Sequence, residues 1–88
     1  MTTHIFRKRW GQNFLQDSNI IRKIVAQLDP QPLDVVIEIG PGQGALTFEL
    51  AKQVQTVHAI EIDPLLVTYL NNNSPSNVNL QQAPSIKS

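Results

Sequence analysis

The segment from Val35 to Ala45 constrains the fold more than any other part of the chain. It begins with Val-Val-Ile-Glu-Ile, a β-branched run that is too short for a helix and is apolar on both faces apart from Glu38. Such a run is typical of a central strand in a parallel sheet, because both faces of that strand are covered. Three glycines follow at alternate positions, Gly40, Gly42 and Gly44, and they predict a tight turn that a ligand can approach closely.

The remaining pattern alternates helices and strands. Apolar residues at helical spacing follow Asp17-Ser18, and Asp29-Pro30 ends that helix, since proline restricts the residue before it. Asp63 and Pro64 suit the cap and the first position of a later helix. The predicted elements are a helix after residue 17, a strand over 35–40, a helix over 45–53, a strand over 56–62, a helix after 63 and a weak strand over 78–81.

This order predicts an α/β fold in which an N-terminal arm, residues 1–16, and one helix precede a β-α-β-α-β unit of a doubly wound, Rossmann-like sheet. With 88 residues, 41% of them hydrophobic, the chain has room for one small domain. Seven basic residues balance seven acidic ones, which argues against a wholly cationic surface but allows a local basic patch.

Composition also bears on compartment and metal binding. Cysteine is absent, which excludes disulfides and thiolate metal sites and fits a reducing compartment. No apolar stretch has the length of a membrane-spanning helix. His58 has no second His or Cys at ligand spacing. We therefore predict a cytoplasmic protein with no metal site and no membrane contact.

The glycine turn and a later acid predict a nucleoside ligand. Gly40-x-Gly42-x-x-Ala45 fits the dinucleotide fingerprint, and Glu61 follows 21 positions after Gly40, where a carboxylate can accept hydrogen bonds from two ribose hydroxyls. Pro41 removes one N–H from the turn, and Glu38 adds negative charge beside it. Both features favour the cationic S-adenosylmethionine over a diphosphate, and NAD remains the alternative ligand.

Three segments together resemble the small-subunit (16S) ribosomal RNA adenine N6-dimethyltransferases. They are Arg-Lys-Arg-Trp-Gly-Gln-Asn-Phe-Leu at 7–15, Val-Ile-Glu-Ile-Gly-Pro-Gly-Gln-Gly-Ala-Leu-Thr at 36–47 and Ile-Glu-Ile-Asp at 60–63. The erythromycin-resistance 23S methylases and the mitochondrial transcription-factor homologues share much of this pattern. The resemblance spans about residues 5–82, and its three motifs stand in the family's order.

The resemblance implies a class I methyltransferase fold and an enzyme that methylates the exocyclic amines of two adjacent adenosines near the 3′ end of the rRNA. It implies that S-adenosylmethionine binds at the glycine turn, with Glu61 on the ribose and Ile62 against the adenine. The implied cofactor residues are Gln12, Asn13, Leu15, Gly40, Gly42, Glu61 and Ile62. Arg7, Lys8 and Arg9 are implied contacts to rRNA in a 30S ribosomal precursor.

The chain also departs from the family pattern. It contains no Asn-(Ile/Leu)-Pro-Tyr loop, so no catalytic residue is assigned, and Ala83 follows Gln82 where the family has an acid that binds the adenine amine. We expect residues 17–88 to form an incomplete domain that lacks the C-terminal half and the helical rRNA-binding domain. The chain alone is then expected to be inactive.

Two further expectations concern folding and function. Without the family's fourth strand, the strand over 35–39 is expected to be an open apolar edge through which copies self-associate. An NAD-binding oxidoreductase half-domain, or a non-catalytic remnant of the methyltransferase fold, are the alternative functions.

Overall fold

The computed structural model describes residues 2–7 and 17–84, with the backbone alone at Phe6 and Arg7. Its strands form one four-stranded parallel sheet in the order β1-β2-β3-β4. The elements are β1 (Thr3–Arg7), α1 (Ser18–Leu28), β2 (Val35–Ile39), α2 (Ala45–Ala51), β3 (Thr56–Glu61), α3 (Pro64–Asn73) and β4 (Val78–Gln82). This arrangement confirms the predicted α/β, Rossmann-like fold.

The ends of the helices follow the predicted capping chemistry. The Asp17 carboxylate accepts from the backbone N–H groups of Asn19 and Ile20 at the start of α1. Asp29 ends α1 in the left-handed conformation, with φ of 47°. The Asp63 carboxylate accepts from a backbone N–H in the first turn of α3, at 2.9 Å. These local signals explain why the element boundaries were predictable.

The N-terminal strand corrects two expectations. Thr3–Arg7 lies within the predicted arm of residues 1–16, yet it pairs in parallel with β2, from Thr3 opposite Val35 to Arg7 opposite Ile39. The strand over 35–39 is therefore an interior strand, and the expectation that it forms an open edge was wrong. The physical reason is that β1 supplies the backbone partners that an apolar edge strand otherwise lacks.

Asp34, directly before β2, holds the amino end of β1. Its carboxylate accepts from the backbone N–H of Thr2 at 3.0 Å, and Oδ2 lies 3.0 Å from Nε2 of His4. The backbone N–H of Val35 donates to the carbonyl of Thr2 at 2.8 Å. A short segment is thus tied to the sheet by side-chain as well as ladder hydrogen bonds.

The described helices pack on one face of the sheet. Consecutive parallel strands step in one direction across it, and right-handed crossovers then place α1, α2 and α3 on the same side. The core lies between them and the sheet. Its buried residues are Ile21, Val25, Val36, Leu46, Leu50, Ala51, Val54, Val57 and Val78.

The opposite side of the sheet, called the open face here, has no described helix against it. Alternation along the strands places Ile5, Ile37, Ile39, His58 and Ile60 on this side, in adjacent registers. Ile5 is 62% exposed. The open face is thus apolar around Ile5, Ile37 and Ile39 and becomes polar towards β4, where Asn79 and Gln81 continue the registers of His58 and Ile60. None of the helices in residues 2–7 and 17–84 is long and apolar enough to cross a membrane.

Candidate functional site

The glycine turn, residues 40–44, lies where the carboxyl ends of β2 and β3 meet. The backbone N–H of Gly40 donates to the carbonyl of Ile60 at 2.9 Å, which ties the start of the turn to β3. The N–H of Gly44 donates to the carbonyl of Pro41 at 3.1 Å. In open parallel sheets, ligands bind at this carboxyl edge of the strands.

Gly44 shows why the turn needs glycine. Its φ of 88° lies in the left-handed region, where a side chain is strained. A Cβ there would lie 2.7 Å from Cδ2 of Leu70 and 2.8 Å from Cζ of Phe48. The absent side chain therefore allows α2 to begin in close contact with α3. Gly40 and Gly42 also have positive φ values, 74° and 63°.

Glu61 closes the tip of the turn. This last residue of β3 is 8% exposed, and its Oε1 accepts from the backbone N–H of Gly42 at 3.2 Å. Oε2 accepts from the N–H groups of Ile62 at 3.0 Å and Asp63 at 3.1 Å. The structure thus brings together Gly42 and Glu61, which sequence spacing alone had associated.

Glu38 and Thr47 form a second contact across the turn. Glu38 is 3% exposed and Thr47 is fully buried. The Thr47 hydroxyl in α2 donates a short hydrogen bond to Oε1 of Glu38 in β2. A buried carboxylate is costly unless it accepts hydrogen bonds, so this contact stabilises the charge and joins the two ends of the turn.

Thr47 was not among the residues predicted from the sequence. A signal was present, since Thr47 lies one helical turn before Leu50 and Ala51, both of which face the core. A polar residue on an apolar helix face needs a buried partner. The nearest charged residue on the preceding strand is Glu38, but the sequence does not show that the two side chains meet.

Asp34 is a second buried carboxylate, and it lies at the amino end of β2, away from the glycine turn. The backbone N–H of Gln31 donates to its Oδ2 at 2.8 Å. This bond, followed by the contact with His4, lowers the pKa of Asp34 from its usual value of 3.8. The charged Asp34 carboxylate accepts the hydrogen bonds that attach β1 to the sheet. We therefore assign Asp34 a structural role.

The carboxyl end of β4 borders the site on the side away from β2. Gln82 is opposite Glu61 in the strand register, and the N–H of Ala83 donates to the Glu61 carbonyl at 2.8 Å. Ile62, the residue expected against the adenine, is 55% exposed beside this end. Ala83, the position at which the resemblance implies an acid, is therefore adjacent to Glu61.

Five other predicted site residues are not described by the structure. Gln12, Asn13, Leu15, Lys8 and Arg9 lie outside the described residues. The backbone of Arg7 is opposite Ile39, so the basic run begins at the same edge as the glycine turn. Within residues 2–7 and 17–84, His, Asp and Glu form no group of three that could hold a metal ion.

Comparison with known proteins gives a consistent result. The model of the family described as "Ribosomal RNA adenine dimethylase" matches residues 3–84. Proteins named ribosomal RNA small subunit methyltransferase A are also similar. The chain is 49% identical to the protein from Chromobacterium violaceum, and the match covers 86% of the chain. It is 43% identical to the protein from Aromatoleum aromaticum over 99% of the chain. It is 55% identical to the protein from Ralstonia nicotianae over 76% of the chain.

These matches cover only part of each relative. The chain spans 29% of the Chromobacterium protein, 33% of the Aromatoleum protein and 24% of the Ralstonia protein. The shared segment contains the glycine turn, Glu38 and Glu61, so the residues that form the candidate site lie within the region that the family model matches.

Proposed function

Since the chain belongs to the ribosomal RNA adenine dimethylase family, we propose that it binds S-adenosylmethionine and serves N6-dimethylation of two adjacent adenosines near the 3′ end of small-subunit rRNA. The observation that carries this proposal is the Glu61 carboxylate, which lies at the carboxyl edge of the sheet and directly contacts the glycine turn. A carboxylate there is an acceptor for ribose hydroxyls.

Hydrogen bonding in the turn favours an adenosyl sulfonium over a dinucleotide. A pyrophosphate needs free N–H donors, but those of Gly40, Gly42 and Gly44 are bonded within the protein. Pro41 has no N–H, so Gln43 is the one residue of 40–44 whose backbone N–H is available to a phosphate. Glu38 adds negative charge at the base of the turn. The residues present therefore fit a cationic ligand that carries hydroxyl donors.

We assign the cofactor's parts to residues as follows. Gly40 and Gly42 lie beneath it, Glu61 accepts from the ribose, and Ile62 packs against the adenine. Gln12, Asn13 and Leu15 hold the methionine end, an assignment that rests on the family resemblance. When bound, the cofactor supplies a methyl group on a positively charged sulfur, and the role of the chain's residues is to orient that group and shield it from water.

The proposed substrate side is basic. Arg7, Lys8 and Arg9 begin at the carboxyl end of β1, which is the edge that also carries the glycine turn. A basic run that starts from this edge suits the phosphates of an rRNA segment in a 30S precursor. Since the sequence contains no Asn-Pro-Tyr segment, we propose that the described site binds cofactor while the residues that polarise the adenine amine are not among these 88.

Isothermal calorimetry with S-adenosylhomocysteine and with NAD tests the proposal. We expect S-adenosylhomocysteine to bind and NAD not to bind. Glu61→Ala should weaken S-adenosylhomocysteine by at least about tenfold, because hydrogen bonds to a charged group contribute about 1.5–3 kcal/mol each. Glu49→Ala is the matched control, because it removes a carboxylate of α2 that pairs with Lys52 and is 34% exposed. Binding of NAD alone would contradict the proposal and favour a dinucleotide-dependent oxidoreductase.

A further inference from the structure

The hydrogen-bonding capacity of Glu61 is nearly filled by N–H groups of the chain itself. A carboxylate offers about four acceptor positions. Three are occupied by the N–H groups of Gly42, Ile62 and Asp63, and the side chain is only 8% exposed. About one position is therefore left, which is enough for a single hydroxyl but not for the two hydroxyls of a ribose.

The three bonds differ in how readily they can be released. Ile62 and Asp63 follow Glu61 directly in the chain, so their N–H groups move together with it. Gly42 belongs to a different segment, the glycine turn, and its backbone N lies 3.2 Å from Oε1. The glycine turn can give up this bond without any change at the end of β3.

On the basis of the proposed function, we propose that the Gly42 N–H and the ribose diol compete for Oε1 of Glu61. In this structure the bond holds the tip of the glycine turn against β3. When both hydroxyls bind, the Gly42 N–H leaves Oε1 and the turn is released at its tip. Glu61 thus acts as a latch on the turn, and Gly42 is a specificity-determining residue through its amide.

The latch changes the expected ribose selectivity. The second hydroxyl bond is gained while the Gly42 bond is lost, so the two largely offset each other. A ligand with only one hydroxyl can use the remaining position and keep the latch closed, and no acceptor is left unpaired. We therefore expect the 2′-deoxy analogue of S-adenosylhomocysteine to bind within about tenfold of the parent compound, far less discrimination than an unoccupied carboxylate gives.

Amide NMR of the ¹⁵N-labelled chain tests the exchange directly. We expect the chemical shift of the Gly42 amide proton to move upfield on saturation with S-adenosylhomocysteine, because its hydrogen bond to a carboxylate is lost. The amide protons of Ile62 and Asp63 should keep the chemical shifts of their hydrogen-bonded state. The 2′,3′-dideoxy analogue should bind more weakly, and the Gly42 amide proton should keep the chemical shift of its hydrogen-bonded state. Glu61→Gln, which retains size but loses charge, should move the Gly42 resonance upfield without ligand, and Glu49→Gln should not.

The outcomes separate the latch from the proposed function. If calorimetry detects S-adenosylhomocysteine binding but the Gly42 resonance stays in place, the latch is overturned and the proposed function stands. If the dideoxy analogue moves the Gly42 resonance equally, the diol is not what opens the latch, and the proposal is again overturned. If calorimetry detects no binding, the proposed function and the latch both fail.

Discussion

Thr47 and Glu38 join helix α2 to strand β2 across the base of the glycine turn, through a hydrogen bond between two buried side chains. The bond encloses residues 39–46, so it limits how far the two ends of the turn can separate. It therefore holds the base of the turn in shape independently of the Glu61 contact at the tip. Preorganisation of this kind lowers the entropy that binding would otherwise cost.

Removing the Thr47 hydroxyl should destabilise the fold. Thr47→Val keeps the shape of the side chain but removes this donor to the buried Glu38 carboxylate, and a hydrogen bond to a charged group contributes about 1.5–3 kcal/mol. Urea denaturation followed by circular dichroism measures the change. Thr47→Ser should recover most of the loss. Thr68→Val on the exposed side of α3 is the control, and an equal loss there would argue against a special role for the buried pair.

Adding a side chain at Gly44 should be more damaging than helix propensity suggests. Gly44→Ala combines a φ of 88° with a Cβ placed 2.7 Å from Leu70, and left-handed strain alone costs about 1–2 kcal/mol. We expect the midpoint of thermal unfolding to fall. In the Gly44→Ala background, Leu70→Val should cost less stability than it does in the wild-type chain. Additive effects of the two substitutions would show that the steric contact contributes nothing.

Acid should loosen the N-terminal strand through Asp34. The pKa of this carboxyl is lowered, first by the Gln31 N–H and then by His4. An acid whose folded pKa lies below its unfolded value stabilises the fold above the unfolded value, and this contribution is lost as pH falls through the folded pKa. The free energy of unfolding should therefore decline below a pH of 3.8. Asp34→Asn should reduce that dependence, whereas Asp17→Asn, at an exposed cap, should retain it.

Copies of the chain are expected to associate, now through the open face rather than through the edge of β2. Ile5 is 62% exposed on that face, opposite Ile37 in the strand register, whereas Leu65, 79% exposed on α3, lies on the other side of the sheet and serves as the control. Apolar patches of this kind promote association, so sedimentation velocity should show concentration-dependent oligomers. Ile5→Lys should shift the distribution towards monomer, and Leu65→Lys should not. A monomer at all concentrations for the unmodified chain would refute this expectation.

Much of the site could be predicted from sequence patterns that span only a few residues. Asp63 before Pro64, the alternate glycines and the β-branched run over 35–39 are local signals, and each forms the element it predicted. The distance along the chain from Gly40 to Glu61 indicated that the acid lies beside the turn, because one helix and one strand separate them in a parallel unit. That position is confirmed by the contact with Gly42.

Other features could not be predicted from the sequence. β1 was missed because a five-residue segment next to a basic run has no distinct periodicity of its own. Its place beside β2 depends on Asp34, which is buried only once the segments have come together. The same holds for the pair formed by Thr47 and Glu38.

The sequence by itself determined the order of helices and strands, the position of the glycine turn and the choice of Glu61 as its acidic partner, because caps, periodicity and backbone freedom act locally. Only the tertiary structure decided that β1 covers the side of β2, that the described helices share one face, and that Gly42 already occupies an acceptor position of Glu61. Those outcomes depend on which distant groups compete for the same hydrogen bond or the same strand edge, and that competition is resolved only when the chain is packed.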